Sequence, residues 1–235
     1  MDVPKSSDSR APENGGSRDA EKLGSAIDHT LLDKDHTTED VDEAVRTADD
    51  YGMNICLPPS RIERVPASFM GEVCSVVGFP LGYNDTETKV FEAQRASEDG
   101  ATEVDVACNV SHLKSRSYYE FRSDVERVVE AADVRVKAII ETGLLSKSEI
   151  KRASKLCVEA GADYVKTCSG FTDGEATPSD VRTIREAVGE GVGVKASGGI
   201  RSYSDVVEMV RAGATRIGSS SGKEIVEDFS QSQSR

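Results

Sequence analysis

Three times along the chain a helical pattern gives way to a glycine, an alanine and a short apolar strand: EDGATEVDVA, EAGADYVKTC and RAGATRIGSS. Gly100, Gly161 and Gly213 fit the position just past a helix end, where positive φ is needed. A helix-to-strand return used this often favours a fold in which strands and helices alternate. Counting five residues on from each glycine gives Asp105, Lys166 and Gly218. Side-chain direction alternates along a strand, so superposing the three units puts those residues at one depth, facing one way. Helix-to-strand turns reuse Gly-Ala for ordinary reasons, but that does not account for Asp and Lys where Val or Ile usually stands.

The rest of the chain keeps the alternation. Strands are predicted near Ile27–Thr30, Asn54–Leu57, Val73–Gly78 and Glu103–Ala107, then near Arg135–Glu141, Tyr164–Thr167, Gly193–Ala196 and Arg216–Gly218. The runs Val-Cys-Ser-Val-Val and Val-Lys-Ala-Ile-Ile are apolar and β-branched, as parallel strands covered on both faces are. Helix starts carry the Ser/Thr-x-x-Asp/Glu capping pattern at Thr37/Asp40, Ser117/Glu120, Ser146/Glu149, Thr177/Asp180 and Ser202/Asp205. Eight strands, each followed by a helix or room for one, predict an α/β chain folded as a single (β/α)8 TIM barrel over residues 22–235. Residues 1–21, rich in Ser, Asp, Gly, Pro and Arg without an apolar period, are predicted to be a disordered tail. An open doubly wound sheet is the alternative. It would show a glycine fingerprint after its first strand, and the nearest match, GVGVKA from Gly191, lies inside the seventh.

In a barrel, functional groups gather at the C-terminal ends of the strands. The predicted ends collect Asp28, Asp105, Glu141, Lys166 and Lys195. Lys166, in ADYVKTCSG, stands after an apolar run and before a small-residue turn, where an unpaired ammonium is costly. Lys195, in GVGVKASGG, belongs to the neighbouring strand, and two crowded ammonium groups lower the proton affinity of one of them. A lysine pushed toward its free amine attacks carbonyl carbon. A salt-bridge network joining both lysines to Asp105 and Glu141 accounts for the same residues without catalysis. The loops after strands seven and eight, Ser197-Gly198-Gly199 and Gly218-Ser219-Ser220-Ser221-Gly222, fit a phosphate cradle. Together these features predict aldol chemistry through a Schiff base on a phosphorylated substrate.

A net charge of −13 argues against nucleic acid or an anionic membrane as partner. It also fits a chain adapted to a salty cytoplasm. Cys56, Cys74, Cys108, Cys157 and Cys168 are scattered without a close pair and are expected as small buried hydrophobes in a reducing compartment. The three histidines form no ligand spacing, so neither metal nor cofactor is expected. No apolar run approaches bilayer length and no signal peptide opens the chain, so a cytoplasmic location is expected.

The segments IDHTLL, CLPPS, GFPLG with TETKVFEA, EVDVACNV, IIETGLL, DYVKTCSGF, GVKASGGIR and RIGSSSG, in this order from about Ile27 to Gly222, resemble the deoxyribose-phosphate aldolase family. The resemblance implies a cofactor-free class I enzyme that splits 2-deoxy-D-ribose 5-phosphate into glyceraldehyde 3-phosphate and acetaldehyde. It implies Lys166 as the Schiff-base lysine, Lys195 as the second lysine that lowers its pKa, and Asp105 as the acid that relays protons. Thr167, Ser169, Gly170, Gly198, Gly199, Gly218, Ser219 and Ser220 fall where the family holds substrate and phosphate. Asp28 and Glu141 fall where groups orient the lysines. Family members form dimers or tetramers, which implies a homo-oligomer here. Another Schiff-base barrel aldolase, of the fructose-bisphosphate or transaldolase type, and a sugar-phosphate-binding barrel without turnover are the rival readings.

Overall fold

The computed structural model describes residues 15–233. Helix α1 (Gly15–Gly24) precedes strand β1 (Ile27–Thr30), followed by α2 (Thr38–Asp50), β2 (Asn54–Cys56) and, after a 3₁₀ turn at Pro59–Arg64, β3 (Val73–Val77). Then come α3 (Thr86–Glu98), β4 (Glu103–Ala107), α4 (Val110–Lys114), α5 (Tyr118–Ala131) and β5 (Arg135–Ile139). A 3₁₀ turn (Thr142–Leu144), α6 (Lys147–Glu159), β6 (Tyr164–Lys166), α7 (Pro178–Val188) and β7 (Gly193–Ser197) lead to α8 (Tyr203–Arg211), β8 (Arg216–Ser219) and α9 (Gly222–Gln233). All eight strands run parallel and close into a barrel, β8 pairing with β1. This is the expected (β/α)8 fold.

The repeated junction works as its glycines suggest. Gly100, Gly161 and Gly213 have φ of 108, 84 and 112°, a region open to glycine and costly to other residues. Full capping boxes form at Thr37/Asp40, Ser146/Glu149 and Ser202/Asp205, and Thr177 accepts the Asp180 amide. Ser117 departs from the pattern. Its ψ is 64° rather than extended, and no side-chain cap forms. The cause lies just upstream, where Arg116 turns at φ 60° out of α4 and the Ser117 amide donates to His112 O. The β2–β3 connection carries a short 3₁₀ turn in place of a helix. Pro58, Pro59 and Pro66 bracket too few residues for a helix of several turns. At the N-terminus α1 occupies residues 15–21, which the sequence suggested as tail; residues 1–14 of that tail lie outside the described residues. No described helix is long and apolar enough to cross a membrane.

Strand alternation divides the interior in two. Ile27, Ile55, Val104, Val106, Val136, Ala138, Val165, Val194 and Ile217 turn outward and pack with helix residues such as Val41, Phe121, Val125, Ile150, Ile184 and Ile225 into one apolar ring. The intervening residues face the barrel axis, and they are largely polar: Asp28, Asn54, Glu103, Asp105, Lys137, Lys166, Lys195 and Arg216 are all buried. Register fixes their depth, with Asp105 opposite Lys137 and Lys166 opposite Lys195.

Candidate active site

Asp105 is the centre of the axial group. Lys166 and Lys195 both donate to its Oδ2, at 2.6 and 2.7 Å. Its Oδ1 accepts from Lys137 and from the Cys74 thiol, each at 3.1 Å. The two lysines expected side by side are therefore neighbours, with a shared carboxylate oxygen between them. Behind Lys195, at 2.5 Å, sits Asp28, which also accepts from Arg216 at 2.7 Å and from Asn54 at 3.1 Å. Glu103, deeper in the barrel, accepts from Arg216 and lies 2.7 Å from Lys137.

Burial alone would raise the Asp105 carboxyl, but Lys137, Lys166 and Lys195 override it and hold the group well below the usual carboxylate range. Asp28 is depressed in the same way, its burial outweighed by Lys195, Lys137 and Arg216. Burial alone would lower Lys195; Asp105 and Asp28 outweigh it and keep this ammonium well above the ordinary lysine value. Lys137 is likewise raised, its burial outweighed chiefly by Asp105. The connected set holds three carboxylates, Asp28, Glu103 and Asp105, against four cations, Lys137, Lys166, Lys195 and Arg216. Arg135 joins Glu103 only from the surface, where it also pairs with Glu72.

Lys166 is the member of the set that lines the cavity beside the glycine-serine loops after β7 and β8, whereas Arg216 borders other cavities. The Lys166 cavity, of about 350 Å³, is also lined by Ser169, Gly170, Gly198, Gly199, Gly218, Ser219 and Ser220. Glycine at 218 leaves room for its neighbours, because a Cβ there would stand 3.0 Å from Lys195 Cε and Ser197 Cβ and crowd both. Helix α9 starts just past Ser219–Ser220, and its positive end suits an anion there. Arg201 adds a cation to the same wall and reaches Glu175 at 3.4 Å. Thr30, Leu32, Asp33 and Phe171 also line the cavity, and Phe171 meets Phe79 edge-on with centroids 5.2 Å apart.

Two residues stand elsewhere than their motifs suggested. Thr167 does not line the cavity; its hydroxyl donates to Ser197 O at 2.9 Å and accepts the Ser197 amide at 3.0 Å, clipping β6 to β7. As the residue after an inward lysine it must face away. Glu141 does not touch the lysines. With φ at 57°, it turns its carboxylate onto the Ser169 amide, 3.2 Å from both oxygens. Lys137, Glu103 and Arg216 join the site unannounced by motif. For Lys137 the signal was the one that drew notice to Lys166, a charged residue within an apolar strand run, whereas Glu103 and Arg216 open their strands and carry no such signal.

Fold and site together define a class: a (β/α)8-barrel lyase whose candidate nucleophile is an amine. Residues 23–228 match the model of the DeoC/LacD family aldolases. The deoxyribose-phosphate aldolase of Thermoanaerobacter sp. (strain X514) is 44% identical over 217 residues, covering 89% of this chain and 97% of that one. The tetrameric deoxyribose phosphate aldolase from Aeropyrum pernix superposes with a TM-score of 0.83 at 37% identity, over 91% of this chain and 95% of that one. The aldolase QR15 superposes with a TM-score of 0.87 at 36% identity, over 90% and 97%. The chain belongs to the DeoC/LacD family of aldolases.

Proposed function

We propose that the chain cleaves 2-deoxy-D-ribose 5-phosphate reversibly to glyceraldehyde 3-phosphate and acetaldehyde through a Schiff base on Lys166. The observation that carries the reading is Lys166, which lines the cavity while its Nζ is bonded to an Asp105 oxygen shared with Lys195. Because four cations face three carboxylates, Lys166 can leave its Asp105 contact without leaving any carboxylate in the set unpaired. It attacks the C1 aldehyde, and the carbinolamine loses water to an iminium. The C3 hydroxyl gives up its proton, the C2–C3 bond breaks, and the electron pair passes into the iminium to form an enamine. Glyceraldehyde 3-phosphate departs. The enamine is protonated at C2 and hydrolysed to acetaldehyde, with Asp105, Lys195 and water carrying the protons.

Gly198, Gly199, Ser219, Ser220, the start of α9 and Arg201 form the phosphate end of the site, and Ser169, Gly170 and Gly218 border the sugar. Asp28 keeps Lys195 in place. Glu141 positions the Ser169 segment. The reading includes a homo-oligomer, a dimer or tetramer, acting in the cytoplasm on small sugar phosphates.

Acetaldehyde with borohydride is expected to leave one reduced adduct on the peptide carrying Lys166, and deoxyribose 5-phosphate is expected to release glyceraldehyde 3-phosphate in a coupled assay. An adduct that persists in Lys166→Ala sinks the assignment of the nucleophile. Release from fructose 1,6-bisphosphate alone points to a different barrel aldolase.

A further inference from the structure

Cys56 and Cys74 are far apart in the chain but are cross-strand partners on β2 and β3, and both are fully buried. Their sulfurs and a carboxylate oxygen of Asp105 all lie within 4.8 Å of one another, the one such group of three or more His, Cys, Asp or Glu donors among the described residues. Lys137 donates to the Cys74 sulfur at 3.4 Å. The aldol steps above use neither thiol.

We propose that Cys56, Cys74 and Asp105 bind one thiophilic divalent ion of the zinc or cadmium type, and that its binding stops turnover. Two sulfurs and a carboxylate oxygen are a favoured donor set for such ions, and three protein ligands leave a fourth position open. With metal–sulfur bonds of about 2.3 Å and metal–oxygen bonds of about 2.0–2.2 Å, tetrahedral ligand atoms stand roughly 3.5–4 Å apart, so the donors need little rearrangement.

Charge also permits the exchange. The ion enters as two thiol protons leave, so the net charge inside the barrel is unchanged, and Lys137, Lys166 and Lys195 face two new thiolates along with the metal. The oxygen nearest the thiols is Oδ1, which the Cys74 S–H already holds, while Oδ2 keeps its two lysines. A metal on Oδ1 takes the place that Lys137 and the Cys74 thiol hold and re-aims the carboxylate on which Lys166 and Lys195 are anchored. Leu32 and Phe79 pack against the cluster formed by Cys56, Cys74 and Val76, and Leu32 also lines the substrate cavity, which makes it the residue between that cavity and the cluster.

The effect on turnover rests on the proposed aldolase reading; the binding does not. Titrating the reduced protein with cadmium chloride is expected to raise an ultraviolet thiolate-to-cadmium charge-transfer band that saturates at one equivalent. Cys56→Ser and Cys74→Ser, each checked for a native circular dichroism spectrum, are expected to weaken binding by more than about tenfold, since even partners outside the ligand set are worth that much. Aldehyde release is expected to fall with the first equivalent and to return with EDTA. No band in the wild type, or unchanged affinity in a folded serine variant, overturns the site. A saturated band with undiminished release overturns the inhibition alone.

Discussion

Strand β4 separates two interiors built on opposite rules. Val104 and Val106 face the helices and disappear into the apolar ring, while Glu103 and Asp105, their alternates, face the barrel axis among lysines and an arginine. The ring gains from every methylene removed from water, at about 25 cal/mol per Å². The axial set gains little net stability, because the attraction within it must first repay the removal of each charge from water. The contrast teaches a division of labour. The apolar ring holds the strands in register, and that register holds a charge arrangement that would not assemble by itself.

The largest effect expected from breaking this contrast is chemical. Lys166→Ala removes the proposed nucleophile and is expected to lower aldehyde release by on the order of 10⁴-fold or more. Its melting temperature is expected to hold, because the change deletes the surplus cation and leaves no carboxylate unpaired. A steep fall in melting temperature would show that Lys166 is needed to balance the set.

Next come two substitutions of similar cost on the two sides. Asp105→Asn leaves three ammonium groups short of a carboxylate and is expected to cost about 3–5 kcal/mol of stability. Phe121→Ala, in the ring, is expected to cost about 3–5 kcal/mol by opening a cavity. Only the first is expected to abolish borohydride trapping. Loss of trapping in a folded Phe121→Ala protein would show that the two interiors are not separable.

Titration sharpens the comparison further. The lowered Asp105 and Asp28 carboxyls contribute fully above the ordinary value of 3.8 and lose their contribution as pH falls below it. The raised Lys137 and Lys195 ammonium groups contribute fully below 10.5 and lose theirs as pH rises beyond it. The stability gap between wild type and Asp105→Asn, followed by urea unfolding, is therefore expected to be flat from about pH 5 to 10 and to shrink on acidification below about pH 4. A gap that changes across neutral pH means that another titrating group shares the role.

The smallest effect belongs to Thr167→Val. Losing the clip between β6 and β7 is expected to cost about 1 kcal/mol with an unchanged KM for deoxyribose 5-phosphate. A raised KM would return this hydroxyl to the substrate.

The sequence made the eight strands, most helix caps and the trio Lys166, Lys195 and Asp105 legible, because a charge beside a turn at the end of an apolar run stands out. Lys137 sits in Val-Lys-Ala-Ile-Ile, a run that passes as ordinary parallel strand, and its role depends on which face of β5 looks inward. That is settled by barrel register, with Asp105 opposite Lys137. Arg216 and Glu103 meet across the axis from strands that are not neighbours, a contact that no local spacing encodes. Glu141 was misjudged because a left-handed backbone aims its carboxylate, and nothing in IIETG announces that conformation. The Cys56–Cys74 pairing also follows from register alone.

Closure of the ring by β1 and β8 bears on how the protein is made. Asp28 emerges from the ribosome among the first folded residues and Arg216 among the last, yet the two are joined beside Lys195. A chain that has not yet delivered its final strand lacks Arg216, which leaves Asp28 to Lys195 and Asn54. The axial charge set is therefore completed only when β8 joins β1.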